Sequence, residues 1–225
     1  MKPVPAGSRR EHEYEPQPGL PEPLPAGERL LWQGGPDWRA LARHAFHVRK
    51  VALYFALLLA WRAAVVVSDG GSVSAALLAV AWLLPLPLLA LGALLLLARL
   101  SARAALYTIT DQRVVMRIGI VLTVTFNLPF TRIEGASLHR HAGGSGDLPL
   151  QLAREDRIGW LHLWPHARPW RIARPEPMLR CVPQAEQVAE LLTRAWVQCT
   201  GGQKAVEAPA AVPAHAGAEP ALAAR

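Results

Sequence analysis

The chain has 225 residues, 52% of them hydrophobic, and carries 24 Lys and Arg against 17 Asp and Glu, a formal charge of +7. That length suits one membrane unit and one domain of ordinary size, and the positive charge, with no nucleic-acid motif beside it, reads as attraction to an anionic membrane surface and excludes nucleic acid as a partner. The two cysteines, Cys181 and Cys199, form no CxxC pair, which excludes a disulfide framework and fits a reducing compartment.

Residues 1–26 are rich in Pro, Glu and Arg and poor in aliphatic side chains, so they are expected to be a disordered tail. No apolar segment directly follows the first charges, so no cleaved signal peptide is expected. Ordered structure is expected from GERLLWQGGPDW, residues 27–38, where Leu30, Leu31 and Trp32 form a short apolar run closed by Gly34-Gly35-Pro36. Asp37 is placed to cap a helix over WRALARHAFHVRK. Trp38, Leu41, Ala45 and Val48 share helical spacing, with Arg39, Arg43, Arg49 and Lys50 around them, which describes an interfacial helix leading into a bilayer.

Two apolar runs follow, at about 47–67 and 73–98. The second holds no charge and is long enough to cross a hydrocarbon core of about 30 Å. Pro85 and Pro87 predict a kink, which membrane helices tolerate. Arg62 is the one charge of the first run and lies near its far end, where it can snorkel. The loop SDGGS between the runs is short, so they form an antiparallel hairpin. Arg39, Arg43, Arg49 and Lys50 precede it and Arg99 and Arg103 follow it, so the positive-inside rule puts both termini in the cytoplasm.

From Leu106 the hydrophobic period changes to two. LYTIT, RVVMRI, IVLTVTFNL, one or two strands in FTRIEGASLHR, the run through Leu148, Leu150 and Leu152, RIGWLHL and MLRCV read as short strands, with turns at Asp111-Gln112, at residues 143–147 and at Glu155-Asp156. In the third run Ile120, Leu122, Val124, Phe126 and Leu128 share one face. After Pro183, the residues Val188, Leu191, Leu192, Ala195 and Trp196 give one apolar helix face. The fold class expected is an α+β membrane protein: a two-helix transmembrane hairpin plus a small antiparallel β sandwich or barrel closed by a C-terminal helix. The divisions are a tail at 1–26, an interfacial segment and hairpin at 27–104, a cytoplasmic domain at 105–197 and a disordered tail at 198–225.

Among candidate sites, the loop WPHARPWR stands out. Trp164, His166, Arg168, Trp170 and Arg171 combine the residue types of interface hot spots, and its prolines lower the ordering cost of docking. Packing inside the domain or contact with a membrane would use the same residues. Trp38, Arg39, Arg43, Arg49, Lys50, Arg99 and Arg103 are the membrane-interface candidates. His139 with His141, and His162 with His166, lack a Cys or carboxylate at zinc-like spacing, so no metal and no other cofactor is expected. There is no GxSxG, phosphate loop or HExxH, and the chain is read as non-catalytic.

The segment GE-x-x-LW-x-G-x-P at 27–36, a helical hairpin and then YTIT-D-x-R-V-V-x-R-x-G at 107–119 together resemble the bacterial pleckstrin-homology-like membrane proteins. With LHLWPHARPWR the likeness narrows to a group of photosynthetic-complex assembly factors of purple bacteria, and it covers about residues 19–196. The resemblance implies a pleckstrin-homology-type domain on a multi-pass protein of the bacterial inner, intracytoplasmic membrane. It also implies a scaffold whose partners are reaction-centre and core light-harvesting antenna subunits, besides anionic lipids. Ala75, Ala76, Ala79 and Gly92 would let helices pack closely, against a partner or a second copy. A general lipid- or protein-binding module is the alternative.

Overall fold

The computed structural model describes residues 19–20, 23–153 and 158–201. The expected tails before residue 19 and after 201, and the expected turn at Glu155-Asp156, lie outside the described residues. The elements run β1 (Leu30–Gly34), α1 (Trp38–His44), α2 (Val48–Ser68), α3 (Val73–Leu83), α4 (Pro85–Ala104), β2 (Leu106–Thr110), β3 (Arg113–Ile118), β4 (Val124–Pro129), β5 (Ile133–Ala136), β6 (His139–Arg140), β7 (Gly146–Leu152), α5 (Trp160–Leu163), β8 (Met178–Val182) and α6 (Ala185–Thr200).

The first sheet is antiparallel in the order β1-β2-β3-β4. Tyr107 and Ile109 of β2 and Val114, Met116 and Ile118 of β3 fall on the face that enters the main core, while Thr108, Thr110 and Val115 between them are buried as well. The apolar run at 30–32 was not expected as a strand. It is β1, and it forms the sheet's edge although the whole hairpin separates it from β2 in sequence. In the second sheet, β5 and β6 share one edge of β7 and β8 takes the other. Helix α6 covers this core with Val188, Leu192, Ala195 and Trp196, and the Trp196 indole N–H donates to the carbonyls of Phe130 and Ile133, each at 3.3 Å.

Two strand expectations fail locally. Residues 120–123 leave the sheet, and β4 begins only at Val124. The chain reverses at Gly119, whose φ of +116° suits glycine and where any Cβ would collide with the Leu122 carbonyl. The described part of RIGWLHL, residues 158–163, is not a strand either: Trp160–Leu163 is one helical turn, with Leu163 buried and Leu161 78% exposed.

Helix α2 and the stretch Val73–Ala104 are long and apolar enough to cross a membrane. None of α2's residues is buried, which is not how a domain's core helix sits. Ser72 caps α3 through Ala75 N at 3.2 Å. The break at Leu84 sits where the prolines remove the donors that the carbonyls of Ala81 and Leu83 would otherwise receive. Helix α4 runs past the expected end at 98. Its Ala98 is buried in a small core with Ala40, Leu41, Ala42, Phe46 and Cys181, and its Ser101 is buried as well.

That core corrects the expected interfacial helix. Asp37 caps α1 as read, accepting from Arg39 N at 3.0 Å, but the helix ends at His44. His47 takes a left-handed φ of 51° and the chain turns into α2. The apolar face of α1 is spent on α4 and β8, so only the cations around it remain outward. Leu20, within the expected N-terminal tail, is also buried.

The two motifs behind the family likeness meet at the end of the first sheet away from the hairpin. Glu28 is buried, and its carboxylate receives Nε and a terminal NH of Arg113, both at 2.8 Å. Arg29 N donates to Asp111 Oδ1 at 3.0 Å. GER thus clasps the β2–β3 turn of DQR and fixes β1 on the sheet. Glu28→Gln breaks the bidentate pair and leaves a half-buried guanidinium short of its partner. The expected cost is about 2–4 kcal/mol, read as a lower denaturant midpoint of the purified protein with an unchanged slope.

Candidate functional site

The hairpin and the two sheets converge on one buried junction in β8. Pairing steps from Gly146↔Val182 to Leu148↔Leu179, so β8 carries one extra residue opposite Asp147. At this bulge Cys181 has φ +50°, a backbone state that a non-glycine residue holds only when its surroundings enforce it. Asp147 Oδ1 accepts from Cys181 N at 2.7 Å, and the Cys181 carbonyl accepts from Asp37 N at 2.9 Å. The neighbouring Arg180 reaches in three directions. Its N–H donates to the Tyr107 hydroxyl at 3.2 Å, and its guanidinium donates to Pro165 O at 2.6 Å and His44 O at 3.4 Å.

Tyr107 and His166 complete the junction, with the hydroxyl 2.6 Å from His166 Nδ1. Burial, and then the Arg180 charge, push His166 down to about 3, while burial raises the Tyr107 phenol. Both are neutral at ordinary pH. The Arg180 N–H occupies the tyrosine oxygen, so we assign the hydroxyl proton to Nδ1, which accepts.

This separates the loop candidates. His166 is 1% exposed and serves the core, so it is not available to a partner and the sequence reading is corrected there. Arg168 is half-buried and bound to Glu176, side chain to side chain at 2.7 Å and N–H to carbonyl at 3.0 Å. The Arg171 guanidinium approaches the other carboxylate oxygen at 3.9 Å and is largely exposed. Trp164 is 46% exposed and meets Phe46, at the base of α2, edge to face at 5.8 Å. Trp170 is 96% exposed, at φ +64°. Trp164, Trp170 and Arg171 therefore present the outward surface, on a loop braced by Glu176 and His166.

The membrane-interface candidates fall where the hairpin joins the domain. The guanidinium groups of Arg39 and Arg99 lie 5.4 and 5.6 Å from the centroid of Trp38. Arg43, Arg49, Lys50 and Arg103 are exposed. A further feature was missed because the sequence put it on a strand face. Ile120, Val121 and Leu122 are 40%, 90% and 81% exposed on the β3–β4 turn. Register places that turn beside the helices: Gly34, just before α1, pairs with Tyr107, and Leu106, just after α4, pairs with Arg117.

A cleft of about 1020 Å³ opens near α6, lined in part by His44, His139, His141, Asp147 and Arg180. The His44 and His141 rings stack at 3.9 Å, and burial, then His141, hold His44 below the usual histidine range. His141, Asp147 and Cys181 bring ligand atoms within 4.8 Å of one another. No metal was expected, because sequence spacing hides this trio: Cys181 arrives on a different strand.

Residues 48–196 match the bacterial PH domain family, hairpin included. The chain belongs to that family. It is also 43% identical over 213 residues, 94% of this chain and 100% of the relative, to an uncharacterized 23.7 kDa protein in the puhA 5′ region of Rhodobacter capsulatus. No solved structure gives a significant match. This bacterial PH domain thus has a full-length relative, and the family likeness spans both the apolar helices and the junction.

Two outcomes test the junction. Tyr107→Phe leaves Arg180 N and His166 Nδ1 short of partners and is expected to destabilise the protein by about 1–3 kcal/mol in chemical denaturation. His166, held near 3 in the folded state, gives stability that is complete above the ordinary value of 6.5 and is lost as pH falls toward about 3, because the unfolded chain takes up a proton that the folded one refuses; His44, also held low, acts in the same direction. Denaturation midpoints should fall over that interval, and His166→Asn should flatten the fall.

Proposed function

We propose that this protein is a non-catalytic assembly factor for photosynthetic membrane complexes, similar to the photosynthetic complex assembly protein PuhB. What carries the reading is the full-length similarity to the puhA-region protein, a photosynthesis-related setting, together with the sequence motifs described above. The partners are reaction-centre and core antenna subunits. The hairpin crosses the bacterial inner membrane twice, with both termini and the PH domain in the cytoplasm, in keeping with the Arg and Lys residues at its base.

In this mechanism the scaffold is stiff where it touches. The hairpin holds the protein in the bilayer in which partner subunits arrive. Ile120, Val121 and Leu122 rest in the interfacial layer, and the cations about Trp38 meet anionic headgroups. Trp164, Trp170 and Arg171 are left to engage a partner close to the membrane surface. Self-association through the small residues of the hairpin is compatible with this arrangement. A lipid-binding module is the second reading, favoured by the same apolar turn and basic belt.

A strain lacking the chain, compared with its parent and a complemented strain, tests the proposal. The expected near-infrared spectrum of its membranes has weakened reaction-centre and core-antenna bands that complementation restores. Unchanged bands would turn the account toward the lipid-binding module. The membrane seat is checked separately with Val121→Cys in a Cys199→Ser background, carrying an environment-sensitive dye in bilayers. Lipid-borne quenchers should reach that dye strongly, and should not reach the same dye at Glu190→Cys on α6.

A further inference from the structure

We propose that His141, Asp147 and Cys181 form a binding site for a divalent transition metal of the zinc class, which pins the β6–β7 turn to the β8 bulge where α1 docks. The first observation is the convergence of one nitrogen, one oxygen and one sulfur ligand atom within 4.8 Å. That compass suits tetrahedral zinc, whose bonds to such ligands are about 2.0–2.3 Å long. The donor set selects the metal: calcium and magnesium take oxygen shells, whereas thiolate and imidazole favour zinc and its neighbours.

A second observation is independent of proximity. His141 Nε2 stands 3.0 Å from Asp147 Oδ2, yet it is buried and makes no hydrogen bond. Both side chains are about nine-tenths buried. A proton on Nε2 lies off the line to Oδ2 and so makes no hydrogen bond there, whereas a cation bonded to both atoms would satisfy the pair.

The backbone supplies a third. Asp147 spends Oδ1 on Cys181 N, which leaves Oδ2 for the site and fixes the carboxylate plane, as second-shell bonds do for metal ligands. The bulge with φ +50° at Cys181 turns that side chain inward, beside the core under α1. Three protein ligands leave one position for water, and His141 and Asp147 border the cleft from which water would come. On binding, a metal–sulfur bond replaces the Cys181 S–H bond and the proton passes to solvent.

Full-length protein without a polyhistidine tag, in detergent and stripped with a chelator, is titrated with cobalt(II). The site should give a thiolate-to-cobalt charge-transfer band saturating at one equivalent, which zinc abolishes one for one. Cys199→Ser should leave the band intact, Cys181→Ser should remove it, and His141→Ala should weaken binding by roughly tenfold or more. Folded wild-type protein that gives no thiolate–cobalt band overturns the proposal without recourse to any variant. So does a band that survives Cys181→Ser or depends on Cys199. Zinc should also raise the melting temperature of the wild type and not that of Cys181→Ser; an equal rise in both counts against the site.

Discussion

The single buried bulge in β8 is the constraint on which the rest of the structure depends. One extra residue lets Arg180 and Cys181 face different neighbours at the same point of the chain. Cys181 holds α1 through Asp37 and β7 through Asp147, while Arg180 holds the start of the hairpin, the loop before Ala167 and the first sheet. A buried guanidinium is costly to desolvate; here two carbonyls receive its terminal N–H groups, while Nε is buried without a hydrogen bond. The junction therefore behaves as a unit. The hairpin is not tethered to the domain by a flexible linker; its base is packed into the domain.

That coupling explains why the family likeness includes the helices as well as the β strands. It also gives the Glu28–Arg113 clasp a purpose. β1 must stay on the sheet for Asp37 to reach Cys181, because only Gly35 and Pro36 separate the end of the strand from the cap. One end of the first sheet is thus held by a charge pair and the other by the helices.

Much of this was legible in the sequence where hydrophobic period alone decides: the two long apolar runs, the alternation of β2 and β3, and the apolar face of α6. The Asp37 cap was legible because its chemistry is local. What escaped was set by contacts distant in sequence. β1 is too short to declare itself and becomes a strand only by pairing with β2, more than 70 residues on. In the same way His166 was indistinguishable from its exposed neighbours until Tyr107 and Arg180 were placed around it. The apolar turn at 120–122 imitates a strand in composition, and only the φ of Gly119 breaks the run.

Under the proposed function, the two apolar helices seat the protein in a membrane and the loop carrying Trp164 and Trp170 forms an aromatic tip on the domain. Trp170 and Ile172 are 96% and 68% exposed and Trp164 is 46% exposed, so the loop presents several apolar side chains outward and not a lone one. The most direct test of the account is photocrosslinking in native membranes during complex assembly, with a photoreactive phenylalanine at position 170 and a control at Arg194 on α6. The account expects position 170, and not 194, to give a product containing a reaction-centre or core-antenna subunit. Products free of such subunits, or identical from both positions, would contradict it.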